Sequence, residues 1–238
     1  MKVSITSEEF ERGKRGYRVS VLAEDASVQD YLDALNQGIL SLELFRARGI
    51  QGDHCKGCEA CCAERMPLTP IDLKVLAQCP SVMEWISNRG LGPDDEEQLL
   101  MALVRRFCRV YVKGSTVDIT LRLGEDGKCP FLDPGAGTCS IYDFRPLVCQ
   151  AYICCPASQE AFDLREAVVN AGEDELVRLW LSHAREHSLD FWYHEADNPQ
   201  VDPEDWKTGP YTGKDSYSQI LIKELVTPEL WDKLIAGN

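Results

Sequence analysis

Nine of the eleven cysteines in this 238-residue chain fall into two short groups, and any fold it adopts must accommodate both. The first, "HCKGCEACC" at 54–62, sets Cys55, Cys58, Cys61 and Cys62 beside His54. The second runs Cys129-x9-Cys139-x9-Cys149-x4-Cys154-Cys155. Around it, residues 124–157 are rich in Gly, Pro and Cys, so the spacing predicts mostly irregular chain there. Irregular chain buries poorly because its backbone polar groups need partners, and metal can tie such loops together where a core is missing. Disulfides suit the array badly: eleven is odd, and Cys61–Cys62 and Cys154–Cys155 are adjacent pairs. The start "MKVSITSEEFERGKRG" lacks an apolar signal region, and no later run nears eighteen apolar residues, so a reducing cytoplasmic setting is expected.

The rest of the chain supplies ordinary core-forming material, at 44% hydrophobic and 27% charged residues. Residues 26–48 place Val28, Tyr31, Leu32, Leu35, Ile39, Leu42 and Phe45 on one helical face, with Gly49 as the stop. Thr69-Pro70 reads as N-cap and first helical residue. A helix is expected from near Pro93, its acidic "DDEE" at the positive end of the macrodipole. "VDITLRL" at 117–123 alternates as a strand. Residues 159–188 are read as helical, as is a short stretch near 227–235. Neither repeats nor low-complexity tracts are present. The fold expected is mostly α with a small β element. One domain over 1–238 is expected, with a cysteine-rich core at 53–155 and helical flanks at 1–52 and 156–238.

Cys79 and Cys108 lie apart from both groups, in runs that read as helical and apolar. They are expected to be small buried hydrophobes.

"CKGCEACC", "MPLTPIDLKVL", "GKCPFLD" and "TCSIYDFRPLVC", in that order, resemble the CxxCxxCC family of zinc- or iron-chelating proteins. Flagellin lysine methylases carry a similar cysteine domain. The resemblance covers about residues 53–153. It implies metal ligands among Cys55, Cys58, Cys61, Cys62, Cys129, Cys139 and Cys149, and it singles out Arg145-Pro146. "YICCP" carries more cysteines than the pattern, which leaves Cys154 and Cys155 unassigned.

The metal itself is open between two ions. Cys-x2-Cys-x2-Cys is the run that wraps a cubane in bacterial ferredoxins, with a distant Cys before Pro completing the set; Cys129-Pro130 and Cys155-Pro156 both offer one. Zinc accepts four thiolates as well, but its sites usually pair two Cys-x2-Cys units, and the second group has none. An iron–sulfur cluster is therefore favoured over zinc. In a loop the ligand set would be Cys55, Cys58 and Cys61. On a helix it would be Cys55, Cys58 and Cys62, with Cys61 turned away. Gly57 suits a loop and "EACCAERM" a helix, so both sets stand.

Arg145 can donate to cluster sulfurs or to a bound anion, or can pair with Asp143. Arg105, Arg106, Arg109 and Lys113 read as a basic helical edge facing solvent. His183 and His187 are four apart, but no third ligand is spaced to match along the chain, so with His194 they read as ordinary histidines. His54 is a further candidate ligand. No G-x-G-x-x-G after a strand, P-loop or G-x-S-x-G occurs, so nucleotide sites and a Rossmann-type methyl-donor site are not indicated. The net charge of −14 repels phosphate backbones and anionic membranes, which leaves a protein or peptide as the partner class. Two functions are compatible with these features. One is a metal-binding module, redox or structural; the other is a metal-dependent enzyme modifying a protein or peptide.

Overall fold

The first 21 residues make a hairpin, where the sequence had been read as part of a helical flank. In the computed structural model, which describes residues 1–44, 59, 61–91, 95–188 and 192–236, β1 (Val3–Phe10) and β2 (Lys14–Val21) pair antiparallel from Val3↔Val21 to Phe10↔Lys14. Arg12 and Gly13 turn the chain with φ of 64° and 69°. Val3, Tyr17, Val19 and Val21 are buried, while "SEEFERGKR" supplies the polar surface that masks the pattern.

α1 (Val28–Ser41) opens on a capping box. Asp30 N–H donates to Ser27 Oγ at 3.2 Å, and Ser27 N–H donates to Asp30 Oδ2 at 2.9 Å. Its Val28, Tyr31, Leu32, Leu35 and Ile39 face the core as the spacing predicted. The helix stops earlier than expected, at Ser41, with Leu42 extended. Two causes are visible. Ser41 Oγ donates back to Gln37 O at 2.8 Å, and Leu44, which lies off the apolar stripe, becomes buried once the chain leaves the helix. The remainder of that expected helix, with Gly49, lies outside the described residues.

α2 (Pro70–Leu76) begins as Thr69-Pro70 predicted, and α3 (Pro80–Ser87) follows from Cys79. α4 (Glu96–Phe107) is capped by Asp95, whose Oδ1 accepts from Gln98 N–H at 2.9 Å; Pro93 lies outside the described residues. α4 feeds directly into β3 (Cys108–Lys113). Cys108, Arg109 and Lys113 therefore sit on a strand and not on the helix expected. Val110 and Val112 alternate inward, which suits a half-buried strand. β3 turns at Gly114, φ 58°, into β4 (Thr116–Leu121). The strand predicted at 117–123 is thus two residues shorter at its end.

Two more edges attach to this hairpin. β7 (Glu195–Asp197) pairs parallel with β3, and residues 66–68 lie against β4. Leu121 N–H donates to Met66 O at 2.7 Å and Leu68 N–H to Ile119 O at 3.1 Å. The chain leaving the first cysteine group is stitched to the sheet in this way. Residues 124–157 are largely irregular, as expected. They contain the two-residue pair β5 (Leu132–Asp133) and β6 (Thr138–Cys139) and the short α5 (Leu147–Ala151).

α6 (Gln159–Glu186) runs through the middle, burying Leu164, Val168, Leu176, Val177 and Trp180 against β2, β4, α2 and α4. α7 (Ile222–Leu225) and α8 (Pro228–Ala236) close the chain. One hydrophobic cluster joins Val3 at one end to Leu234 at the other. Helix dominates and strand is confined to small sheets, so the fold is mostly α with small β. Among the described residues no helix is long and apolar enough to cross a membrane.

Candidate metal centre

Three chain segments converge on one small cavity of about 60 Å³, and each brings cysteine to its wall. Cys61 and Cys62 come from the turn that precedes β4's partner strip. Cys129 precedes β5, Cys139 lies on β6, and Cys149 projects from α5. Cys154 also lines the wall. Between the sulfurs lie Met66, Leu121, Leu123 and Ile141, an apolar lining that lowers the local dielectric. Cys55, Cys58 and His54 lie outside the described residues.

Local backbone bonding explains how the two groups meet. Cys62 N–H donates to Glu59 O at 3.0 Å and Glu64 N–H to Cys61 O at 3.1 Å, two successive tight turns with no α-helix. In these turns Cys61 and Cys62 both line the cavity; the choice between the loop set and the helical set falls on Cys55 and Cys58, which lie outside the described residues. Cys129 N–H then donates to Cys62 O at 2.6 Å, a direct backbone link between the groups, and Lys128 Nζ meets Glu59 Oε2 at 3.3 Å nearby. The Asp133 carboxylate accepts from Gly135 and Ala136 N–H, and Gly137 takes φ 62°, which returns the chain so that Cys139 pairs with Leu132.

Cys154 and Cys155, adjacent in sequence, take different environments. Cys154 lines the cavity, while Cys155 packs on the core. The reason lies just beyond them. Tyr17 N–H donates to Pro156 O at 3.0 Å and Ser158 N–H to Tyr17 O at 2.9 Å, pinning "CCPAS" to β2. Gly16 permits that approach, since a Cβ there would sit 2.0 Å from Pro156 O.

Arg145 lines the cavity too. Its guanidinium lies 3.7 Å from the centre of the Tyr142 ring. Nε donates to Tyr142 O at 2.9 Å and Nη2 to Asn36 Oδ1 at 3.0 Å on α1. Asn36 in turn donates to Gln150 Oε1, and Gln150 donates to Arg145 O at 2.7 Å. The arginine is held by neutral partners and a ring, in place of the Asp143 pair weighed from sequence. Its charge remains available to the sulfurs.

Electrostatics favour a cation here. Hydrogen bonding to Cys62 and then burial push the Cys61 thiol above its usual range; accepting that bond holds Cys62 below it. Burial raises Cys129, Cys139 and Cys149, and thiolates at neighbouring cysteines raise each further. Arg145 works the other way on Cys61 and Cys139. Several thiolates cannot share this space without positive charge beyond one guanidinium, and thiolate is the ligating form. The donor set is soft sulfur, which suits zinc or iron.

Residues 54–168 match the family model CxxCxxCC, described as a "Putative zinc- or iron-chelating domain". This segment is a CxxCxxCC domain. No curated protein and no solved structure matches the chain. The domain runs from the first cysteine group through the opening turns of α6, so it includes every described cysteine of the cavity wall.

Cys79 and Cys108 belong to the domain but not to its cavity. Cys79 is buried at the start of α3 beside Ser81 Oγ, and Cys108 is fully buried on β3. Cys→Ala at both is expected to leave bound metal per chain unchanged, with about 1 kcal/mol of packing lost at each site. Metal analysis with thermal melting checks both halves.

Outside the cavity, the basic edge is dispersed. Arg109 pairs with Glu195 on β7, and Arg105 lies over the Trp192 ring at 5.4 Å. His194 is a structural residue, its Nδ1 accepting from Val110 N–H at 3.0 Å.

Sequence reading missed one important residue. Asp72 on α2 is buried, and its carboxylate accepts from Thr69 N–H at 2.9 Å, Leu147 N–H at 2.6 Å and Tyr217 Oη–H at 2.6 Å. It caps α2 locally and, across the fold, the first turn of α5, which carries Cys149. The Thr69-x-x-Asp72 spacing was the available signal for the first role; nothing local signals the second.

Proposed function

We propose that the domain holds an iron–sulfur cluster, ligated from Cys61, Cys62, Cys129, Cys139 and Cys149 together with the Cys55–Cys58 pair. The convergence of both cysteine groups on one apolar cavity carries this reading. Six described cysteines line one wall, more than the four thiolates that either a cluster or a zinc ion uses, so spare thiols accompany the ligand set. Cys129, which precedes Pro130 and is linked by its N–H to the Cys62 carbonyl, suits the distant ligand that completes a Cys-x2-Cys-x2-Cys set. When bound, such a cluster supplies one-electron redox chemistry or a purely structural tie.

The chain's own residues set the conditions for it. Met66, Leu121, Leu123 and Ile141 set apolar surface beside the sulfurs. Arg145, held through Asn36 and Tyr142, offsets their negative charge and has guanidinium donors left for a sulfur. A reducing cytoplasmic compartment keeps these thiols available. A net charge of −14 disfavours nucleic acid and anionic membrane, and the partner class we propose for the centre is a protein or peptide.

The test is purification without oxygen, followed by iron, zinc and acid-labile sulfide analysis and an optical spectrum. A brown protein with iron and sulfide in near-equal amounts is expected. A colourless protein with one zinc and no sulfide would overturn the cluster and leave metal chelation standing. Cys139→Ser is expected to lower bound metal per chain and the melting temperature together, because Cys139 brings the second cysteine group to the same cavity wall as Cys62. Full retention of both would remove Cys139 from the ligand set.

A further inference from the structure

Away from the cysteine cavity, the last turns of α6 meet the first turn of α4. His183, in the last turn of α6, and His187, the C-cap residue one turn on, have ring centroids 4.5 Å apart. Glu97, the second residue of α4, sends its carboxylate between them. Oε1 lies 2.6 Å from His183 Nδ1 and 3.6 Å from His187 Nε2. One ligand atom from each of the three residues falls within 4.8 Å of the others. The third donor that sequence spacing could not supply therefore comes from 86 residues upstream.

We propose that Glu97, His183 and His187 bind a divalent transition-metal ion at a site separate from the cysteine centre. Zinc holds imidazole nitrogen at about 2.0–2.1 Å and carboxylate oxygen at about 2.0–2.2 Å, so tetrahedral ligand atoms stand roughly 3.3–3.5 Å apart. The Glu97–His187 separation is already close to that, and the Glu97–His183 separation must open by less than about 1 Å. Side-chain exposures of 46% for Glu97 and 56% for His187 leave room for the adjustment, while His183, at 14%, is the fixed member.

A pair between Glu97 and His183 alone leaves unexplained the second ring, whose centroid is 4.5 Å from the first and whose Nε2 lies 3.6 Å from the same carboxylate oxygen. A shared cation lets both rings stay neutral and point lone pairs inward. Two imidazoles and a carboxylate are a borderline donor set, suited to zinc, cobalt or nickel rather than to calcium or magnesium. Three protein ligands leave a coordination position for water or an exogenous group, as in open zinc sites. Grooves on both sides of the cluster reach it, so solvent or a small exogenous group has access to the open position.

The test is a zinc titration of the protein as purified, with its cysteine centre loaded. The readout is the imidazole nitrogen–proton correlations of its four histidines, with calorimetry alongside. Zinc is expected to shift the ring signals of His183 and His187 and to leave His194 in place. His187→Gln and Glu97→Gln should each weaken this zinc uptake at least tenfold, with unchanged melting in the absence of added zinc and unchanged metal in the cysteine centre. Ring signals of His183 and His187 that stay fixed at saturating zinc would overturn the site. So would uptake that is equal in wild type and both variants, because the zinc would then be on spare thiols.

Discussion

Stripping the metal from the cysteine centre is expected to open residues 61–65 and 124–140 to protease while most helix survives. Those segments have few other supports. Their backbone bonding is short-range apart from the Cys129–Cys62 link: tight turns at 61–64, 124–128 and 129–132, and the two-residue β5–β6 pair with Gly137 N–H to Asp133 O and Ser140 N–H to Phe131 O beside it. Ordering each such residue costs about 1–2 kcal/mol, and thiolate–metal bonding on the order of 10 kcal/mol or more for a structural site offsets it. Phe131, Leu132 and Ile141 are buried only as long as those loops are in place. The core of β1–β2, α1 and α6 has its own apolar faces, with Tyr17, Tyr31, Leu35, Leu164 and Trp180 all essentially inaccessible. α5 should resist as well, since Asp72 holds its first turn. Limited proteolysis and far-ultraviolet circular dichroism, with and without a strong chelator, decide the matter. Equal protection of 124–140 in both samples would mean that the metal does not hold the loops, and that the centre is a reactive site on a self-sufficient fold.

What the sequence disclosed follows the range of the interactions involved. The Thr69-Pro70 start, the α6 span and the α8 helix were legible because capping and helical periodicity act within a few residues. The β1–β2 hairpin was not, since its solvent face is dense in Glu, Lys and Arg and its turn rests on Arg12 and Gly13 rather than on a familiar Asn-Gly. Cys108 was misplaced because α4 passes into β3 without a turn residue between them. At the site, the candidate cysteines were legible as a group, through their crowding and the family motif. Their division of labour was not. Cys154 and Cys155 separate because Pro156 is pinned to β2, about 140 residues distant in sequence. Asp72 and Glu97 each act on groups far along the chain, Leu147 and His183 respectively, and no local pattern carries that information.

Replacing Asp72 is expected to change both the level and the pH dependence of stability. Burial pushes its carboxyl up from the usual range to about 6, with the Tyr217, Leu147 and Thr69 hydrogen bonds opposing part of that rise. A carboxyl whose folded pKa lies above its unfolded value binds more protons when folded. Stability from this group is therefore fully present below about pH 4, declines as pH rises to about 6, and is flat beyond, a span of about 3 kcal/mol for two pKa units. Glu173 on α6, pushed to about 8 by burial and by Asp118, adds a slope of the same sign that continues to higher pH. Asp72's share is thus read as the difference between wild type and Asp72→Asn. The asparagine can still accept from Leu147 and Tyr217 through its oxygen, but its amide faces Thr69 N–H, so a loss of about 1–2 kcal/mol is expected with no slope of its own between pH 4 and 6. Asp72→Ala leaves the buried Thr69 and Leu147 N–H groups without an acceptor, at about 1–3 kcal/mol each, while Tyr217 keeps Thr69 Oγ1 as a partner, and it frees the start of α5. That variant should be the least stable, and it should also bind metal more weakly because Cys149 rides on α5. Chemical denaturation across pH 4 to 8, with metal content measured at neutral pH, separates the effects. If Asp72→Asn kept the wild-type slope between pH 4 and 6, the titrating group would lie elsewhere. If Asp72→Ala held metal as tightly as wild type, α5 would not depend on this carboxylate for its position in the cavity wall.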